Sequence, residues 1–318
     1  MLKITDKEKS VLAFFDQDVV DLFSIVNLTD IFFNANGSIF TKIAGKEEFF
    51  KNYTGSLRVI LNEIAYLNDV VINESNPVLE CSFIGMRITA VIAPVSNMPT
   101  LTIRKPNYQV IPLEQYVRDG TLKSSEQDII LENFITYPKN ILICGATGSG
   151  KTTFANALLD CLTNTKKNER IVSIQDTPEL VINCDNLLSI FTTNKFSIAD
   201  CLKVTLRQSP KRILIGEVRD KSVIAMLEAF NTGHHGGLAT IHANSATEAI
   251  QRIISLAGVD YDLNELYNLI SITIGLVISI QEIAPNVRKI TQILAIKGYD
   301  FQNKKLITQS LGDNNEIN

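Results

Sequence analysis

The chain has no tryptophan, only three histidines in 318 residues, and five cysteines that never form a CxxC pair. Each scarcity excludes something. An odd number of scattered cysteines, at 81, 144, 161, 184 and 201, predicts free thiols in a reducing cytoplasm and leaves no four-cysteine zinc module. A basic excess is also missing: 30 Lys and Arg stand against 34 Asp and Glu, a net charge of -4. No global field then draws nucleic acid or an anionic membrane, and with tryptophan absent no sequence-specific nucleic-acid binding is expected. The short basic cluster Lys166, Lys167, Arg170 reads as a solvated loop. Long apolar runs are lacking too. The longest uncharged stretch, 266–281, is interrupted by Tyr267, Asn268, Ser271, Thr273 and Ser279 and falls short of the roughly 20 residues a membrane span requires. It predicts a buried helix running into a core strand. The charged first ten residues do not resemble a secretory signal.

What is present is enough apolar material, 45% of residues, for two cores. In the first hundred residues, Asn36-Gly37 between the apolar runs 30–33 and 38–43 predicts a hairpin. Leu57, Ile60, Leu61, Ile64 and Leu67 recur at helical spacing, and strands are expected at 78–83, 87–92 and 101–104, the first two joined tightly at Ile84-Gly85. This predicts a small α+β domain over 1–105. Pro106, Pro112 and Gly120 break the pattern, placing a connection at 106–123. From 124 onward, a helix starting at Ser124 or Ser125 leads into short all-apolar strands, 141–144, 171–174, 213–215 and 238–241, alternating with helical segments. That alternation predicts an α/β domain over 124–318 with a sheet buried on both faces. The polar tail 312–318 is expected to fray.

Between the first of these strands and a helix-prone run stands Gly145-Ala146-Thr147-Gly148-Ser149-Gly150-Lys151-Thr152, followed by Thr153. In this context the motif predicts a phosphate-binding loop for ATP. Backbone N–H groups and the helix N-terminus face the phosphates, Lys151 reaches the β and γ phosphates, and Thr152 offers its hydroxyl to Mg²⁺. Two acidic points follow, each at the end of an apolar strand, where ligands of open parallel sheets collect. The first is Gln175-Asp176-Thr177-Pro178-Glu179, in which Asp176 and Glu179 are placed to act on Mg²⁺ or an attacking water; an Asp before Thr-Pro also suits a capped turn. The second is Ile213-Leu214-Ile215-Gly216-Glu217, where Glu217 is expected on the metal side through water. All three histidines fall at 234, 235 and 242, and no cysteine or acid lies in that window to complete a zinc site. His242, following a strand, is expected to hydrogen-bond the γ phosphate, with the glycine-rich turn around His234 positioning it.

In their order, these four motifs resemble the secretion and conjugation traffic ATPases, strongly over 141–257 and more weakly through Asn36-Gly37, Arg87 and Leu101-Thr102-Ile103-Arg104-Lys105. The resemblance implies a RecA-like P-loop ATPase domain behind a smaller N-terminal domain, using ATP and Mg²⁺ and working as a homo-hexameric ring. It also implies inner-membrane secretion or conjugation partners and a peripheral place on the cytoplasmic face. It assigns Glu179 as general base, Glu217 to the Mg²⁺ side and His242 to the γ phosphate. Arg104, Arg87, Arg207 and Arg219 match arginines that neutralise phosphate charge within or across subunits, though each also suits an ion pair. Three departures stand out: Gln175 and Lys211 replace acids common in the family, and Asp220 is closer to pilus motors. The run 230–244 and the missing four-cysteine element favour the type IV secretion or conjugation branch. A type IV pilus or type II secretion motor, a RecA-like DNA translocase and a non-hydrolysing scaffold are the alternatives.

Overall fold

The computed structural model describes residues 4–106, 110–193, 195–259 and 261–312. Apart from Gly312, the tail expected to fray lies outside them. The chain divides into two units, Met1–Tyr108 and Gln109–Asn318.

In the first unit, strands β1 (Leu28–Phe33), β2 (Ser38–Ile43), β3 (Lys46–Asn52), β4 (Val78–Phe83), β5 (Met86–Val91) and β6 (Thr100–Arg104) form an antiparallel sheet in the order β3-β2-β1-β6-β5-β4. Both expected hairpins form. The Asn36 carboxamide accepts from Ser38 N at 3.0 Å between β1 and β2, and Ile84 and Gly85, both at positive φ, join β4 to β5. Among the described residues, three helices cover the sheet where one was expected: α1 (Asp6–Leu12), α2 (Gln17–Leu22) and α3 (Leu57–Leu67). In α3 the anticipated stripe is buried through Ile60, Leu61 and Ile64. The two extra helices are short and carry charge between single apolar contacts, so no window shows a helical period; Val11, Phe15, Val19 and Leu22 nonetheless enter the same core. Strand β3 escapes notice for the same reason, because Lys46, Glu47 and Glu48 occupy an exposed edge.

The second unit begins inside the stretch read as a connection. There α4 (Leu113–Arg118) buries Leu113 and Tyr116 in this unit's core, so these residues belong to the packed domain. Helix α5 (Ser124–Leu131) continues into a π-helical turn, Glu132–Thr136, that buries Phe134. The sheet that follows uses β7 (Asn140–Cys144), β8 (Ile171–Gln175), β9 (Leu187–Phe191), β10 (Arg212–Val218), β11 (Leu238–Ile241), β12 (Ile274–Ala284), β13 (Val287–Asp300) and β14 (Lys305–Leu311), ordered β14-β13-β12-β7-β11-β10-β8-β9. From β12 to β9 all neighbours are parallel, and β12, β13 and β14 form an antiparallel extension. The connecting helices are α6 (Lys151–Thr165), α7 (Ile198–Thr205), α8 (Ser222–Phe230), α9 (Ala246–Ala257) and α10 (Leu263–Thr273). Side chains alternate between faces, so Ile141 and Ile143 of β7 enter one core while Leu142 and Cys144 enter the other. This two-sided burial explains why the central strands read as unbroken apolar runs. The uncharged stretch from Leu266 forms α10 running directly into β12, as expected.

Candidate nucleotide site

The order β7-β11-β10-β8 brings four strand ends, far apart in sequence, to one edge of the sheet. The loop after β7 runs through Gly148 and Gly150, both at positive φ, into the N-terminus of α6. A side chain at Gly145 has no room: a Cβ there would lie 2.3 Å from the Ile280 carbonyl and 2.4 Å from Ser149 Oγ. With Ala146, Thr147, Thr152 and Thr153, these residues make up the loop and first helical turn where the sequence places a phosphate chain. Lys151 Nζ donates back to the carbonyls of Gly145 at 3.0 Å and Ala146 at 2.9 Å. Burial lowers the lysine's proton affinity, partly opposed by the carboxylate of Glu217.

Lys151 begins a chain of charges. Its Nζ lies 3.2 Å from His242 Nδ1, and His242 Nε2 lies 2.5 Å from Glu217 Oε1. An ammonium can only donate, so Nδ1 accepts and the imidazole proton sits on Nε2, facing Glu217. Desolvation pushes the His242 pKa down, Glu217 opposes that, and Lys151 reinforces it, a balance that favours the neutral ring. Arg219 closes the chain, donating to Glu217 Oε2 through Nε at 2.8 Å and through Nη2, with Nη1 3.5 Å from Asp176 Oδ2.

Glu217 does not stand just past its strand. Strand β10 continues through it, with an extra residue between Ile215 and Val218 relative to β11. The Thr240 hydroxyl donates to the Gly216 carbonyl at 2.6 Å, so a polar group of the irregular segment is satisfied. Asp176, expected on the metal, accepts from Thr192 Oγ1 at 2.7 Å and faces Arg219. Glu179 approaches the phosphate loop directly, with Thr152 Oγ1 3.5 Å from its Oε2.

Other residues singled out in the sequence lie elsewhere. Arg207 is exposed just past α7. In the first unit, Arg87 and Arg104 are register partners on β5 and β6, and Arg104 also pairs with Asp30 on β1, so the three share one face of that sheet. His234 and His235 precede β11 while His242 follows it, and a four-residue strand of about 3.3 Å per residue separates them. The turn at His234 therefore occupies the opposite edge and does not border His242.

Among the described residues no set of three or more His, Cys, Asp and Glu side chains is arranged to hold a metal ion. Mg²⁺ fits the donors that are present, because it characteristically keeps several waters and takes only one or two carboxylates beside substrate phosphates. The hydroxyl of Thr152 and the carboxylate of Glu217 provide such oxygens.

One contact at this site has no local sequence signal. Arg288, on the β12–β13 hairpin, donates through Nη2 to the Gly148 carbonyl at 3.3 Å, and its Cδ lies 3.1 Å from where a Cβ on Gly150 would stand. An isolated arginine on a hairpin 140 residues from the loop matches no motif.

Residues 77–307 match the family model described as type II/IV secretion system protein. A probable conjugal transfer protein TrbB of Sinorhizobium fredii is 31% identical over 277 residues, covering 86% of this chain and 84% of that protein. The type IV secretion system protein VirB11 of Bartonella henselae is 31% identical over 268 residues, covering 70% and 74%. Among solved structures, the Legionella pneumophila ATPase DotB superposes with a TM-score of 0.66 at 21% identity, over 91% of this chain and 81% of that one. That likeness concerns the fold.

Proposed function

We propose that this chain, which belongs to the type II/IV secretion system protein family, is an ATP-hydrolysing motor of a type IV secretion or conjugative transfer system. The reading rests on one observation above all: Lys151 at the phosphate loop is joined through His242 and Glu217 to Arg219, a line drawn from three strand ends. An incoming phosphate competes with the Gly145 and Ala146 carbonyls for the Lys151 protons. The same anion draws the ammonium from His242 Nδ1, which couples the phosphate to the carboxylate of Glu217. Glu179, beside the Thr152 hydroxyl, is the proposed general base for the attacking water. Glu217 and Thr152 would hold Mg²⁺, which, when bound, neutralises charge on the transferring phosphate. Asp176, held by Thr192, orients Arg219. Arg87, Arg104 and Arg207 keep the proposed role of neutralising phosphate charge in an assembled homo-hexameric ring. Such a ring would act beside inner-membrane components on the cytoplasmic side; no helix among the described residues is long and apolar enough to cross a membrane.

The test is phosphate release from ATP by the full chain, with Mg²⁺ and with chelator, joined to negative-stain imaging with and without nucleotide. Activity should require Mg²⁺ and vanish in Lys151→Ala, and six-fold rings should form. Hydrolysis that survives Lys151→Ala would sink the mechanism, and a monomer under all conditions would sink the ring. Stimulation by single-stranded DNA that disappears at higher salt would favour a DNA translocase instead.

A further inference from the structure

Glu179 sits in a segment, 176–182, that belongs to no helix or strand, yet a general base must be held within a fraction of an ångström of its working position. Two carboxamide side chains supply that restraint. Gln175, the last residue of β8 and 4% exposed, accepts with Oε1 from Glu179 N at 2.9 Å and Leu180 N at 2.7 Å. Asn156, on α6 and 2% exposed, donates with Nδ2 to the Glu179 carbonyl at 3.0 Å and accepts with Oδ1 from Val181 N at 2.9 Å. A carbonyl only accepts and a peptide N–H only donates, so these partners determine which way the Asn156 amide points. The Thr177 carbonyl also accepts from Glu179 N, at 2.8 Å.

We propose that Asn156 and Gln175 form a two-amide clamp that positions Glu179 against the phosphate loop. The inference rests on the reading of Glu179 as the base. Thr152 and Asn156 are four residues apart and so share one face of α6, the helix that begins at Lys151. Thr152 meets the Glu179 side chain and Asn156 its backbone, which ties the base to the helix that receives the phosphates. The hydrogen bonds of both amides go to the backbone of residues 179–181, so both act through Glu179, as positioning residues.

The experiment is steady-state phosphate release from Mg-ATP by the full chain, with KM, nucleotide Kd and thermal melting measured on the same preparations. Asn156→Ala and Gln175→Leu should each lower kcat by roughly 10- to 100-fold, as displaced catalytic groups do, with KM and Kd within about threefold of wild type. Gln175→Glu keeps both acceptors and should restore kcat to within about threefold of wild type. In a Glu179→Gln background, neither Asn156→Ala nor Gln175→Leu should reduce the residual rate further, because residues acting through one group are not additive. Should the alanine variant unfold, Asn156→Ser, which cannot span both backbone partners, takes its place. Unchanged kcat in the folded single variants, or a further equal drop in the Glu179→Gln background, overturns the clamp while leaving Glu179 as base. An active Glu179→Gln enzyme overturns the reading of Glu179 itself, and the clamp with it.

Discussion

The two edges of the eight-stranded sheet use the same pairing, an arginine against a carboxylate, in opposite ways. At the edge where β7, β8, β10 and β11 end, Arg219 is 44% exposed and divides its guanidinium between Glu217 and Asp176. At the edge where β10 begins, Arg212 is 1% exposed and every contact is fixed. It meets Glu169 at 2.5 Å, donates to the carbonyls of Phe134 at 2.7 Å and Gly236 at 3.1 Å, and lies over the Phe134 ring. Solvent access at the arginine separates the two roles, since the carboxylates are alike, Glu217 at 15% and Glu169 at 20% exposed. A half-exposed arginine can exchange its partner for a phosphate at little cost, whereas a buried arginine cannot lose its carboxylate without being stranded. Along the chain Arg219 stands two residues from Glu217, whereas Arg212 and Glu169 are 43 residues apart and meet only in the fold.

The difference can be broken most severely at the catalytic edge. Glu217→Gln should lower kcat for phosphate release by about 100-fold or more, since it removes the charge beside His242 and Arg219, while the urea midpoint moves little. A loss of stability as large as the loss of rate would mean that the two edges do not differ in kind. At the other edge, Glu169→Ala should destabilise the fold by about 3 kcal/mol, read from urea unfolding, and leave kcat of the folded protein near wild type. The histidines sharpen the contrast. His242→Ala should lower kcat about tenfold by cutting the link between Lys151 and Glu217, and His235→Ala, exposed at the opposite edge, should leave it unchanged. The smallest effect is on pH dependence. Because burial disfavours charged His242, the folded chain takes up that proton at a lower pH than the unfolded chain, whose ordinary value is 6.5. The associated stability is therefore complete above that value and lost as pH falls through the lower, folded one. A comparison of urea midpoints at pH 7.5 and 5.5 should show a slightly larger drop for wild type than for His242→Gln.

Much of this site is legible along the chain because each part is local. Gly145 to Thr152 predicts a phosphate loop by glycine spacing followed by Lys-Thr, and Glu179, Glu217 and His242 each stand at or near the end of an apolar run. The remainder needed contacts between distant segments. Gln175 reads only as a departure from a family pattern until its Oε1 is seen on two backbone N–H groups, and Asn156 is one polar residue in a helix until it meets Glu179 and Val181. Asp176 is legible as an acid at a strand end, but its contacts are to Thr192 and Arg219. The same limit hid α4, whose short apolar pattern between Pro112 and Gly120 gives no period, and β14, which pairs with β13 at the sheet's margin.

The sequence by itself determined the class of chemistry and the two kinds of domain, because a phosphate loop and buried parallel strands are written in short-range spacing. Tertiary structure alone decided which candidates meet. Lys151 and His242 are 91 residues apart and touch because β7 and β11 are neighbours; His234 and His235, almost beside His242 in the chain, are carried to the far edge by the intervening strand. The order β7-β11-β10-β8 follows from how two apolar faces are covered by helices, and no local periodicity encodes that order.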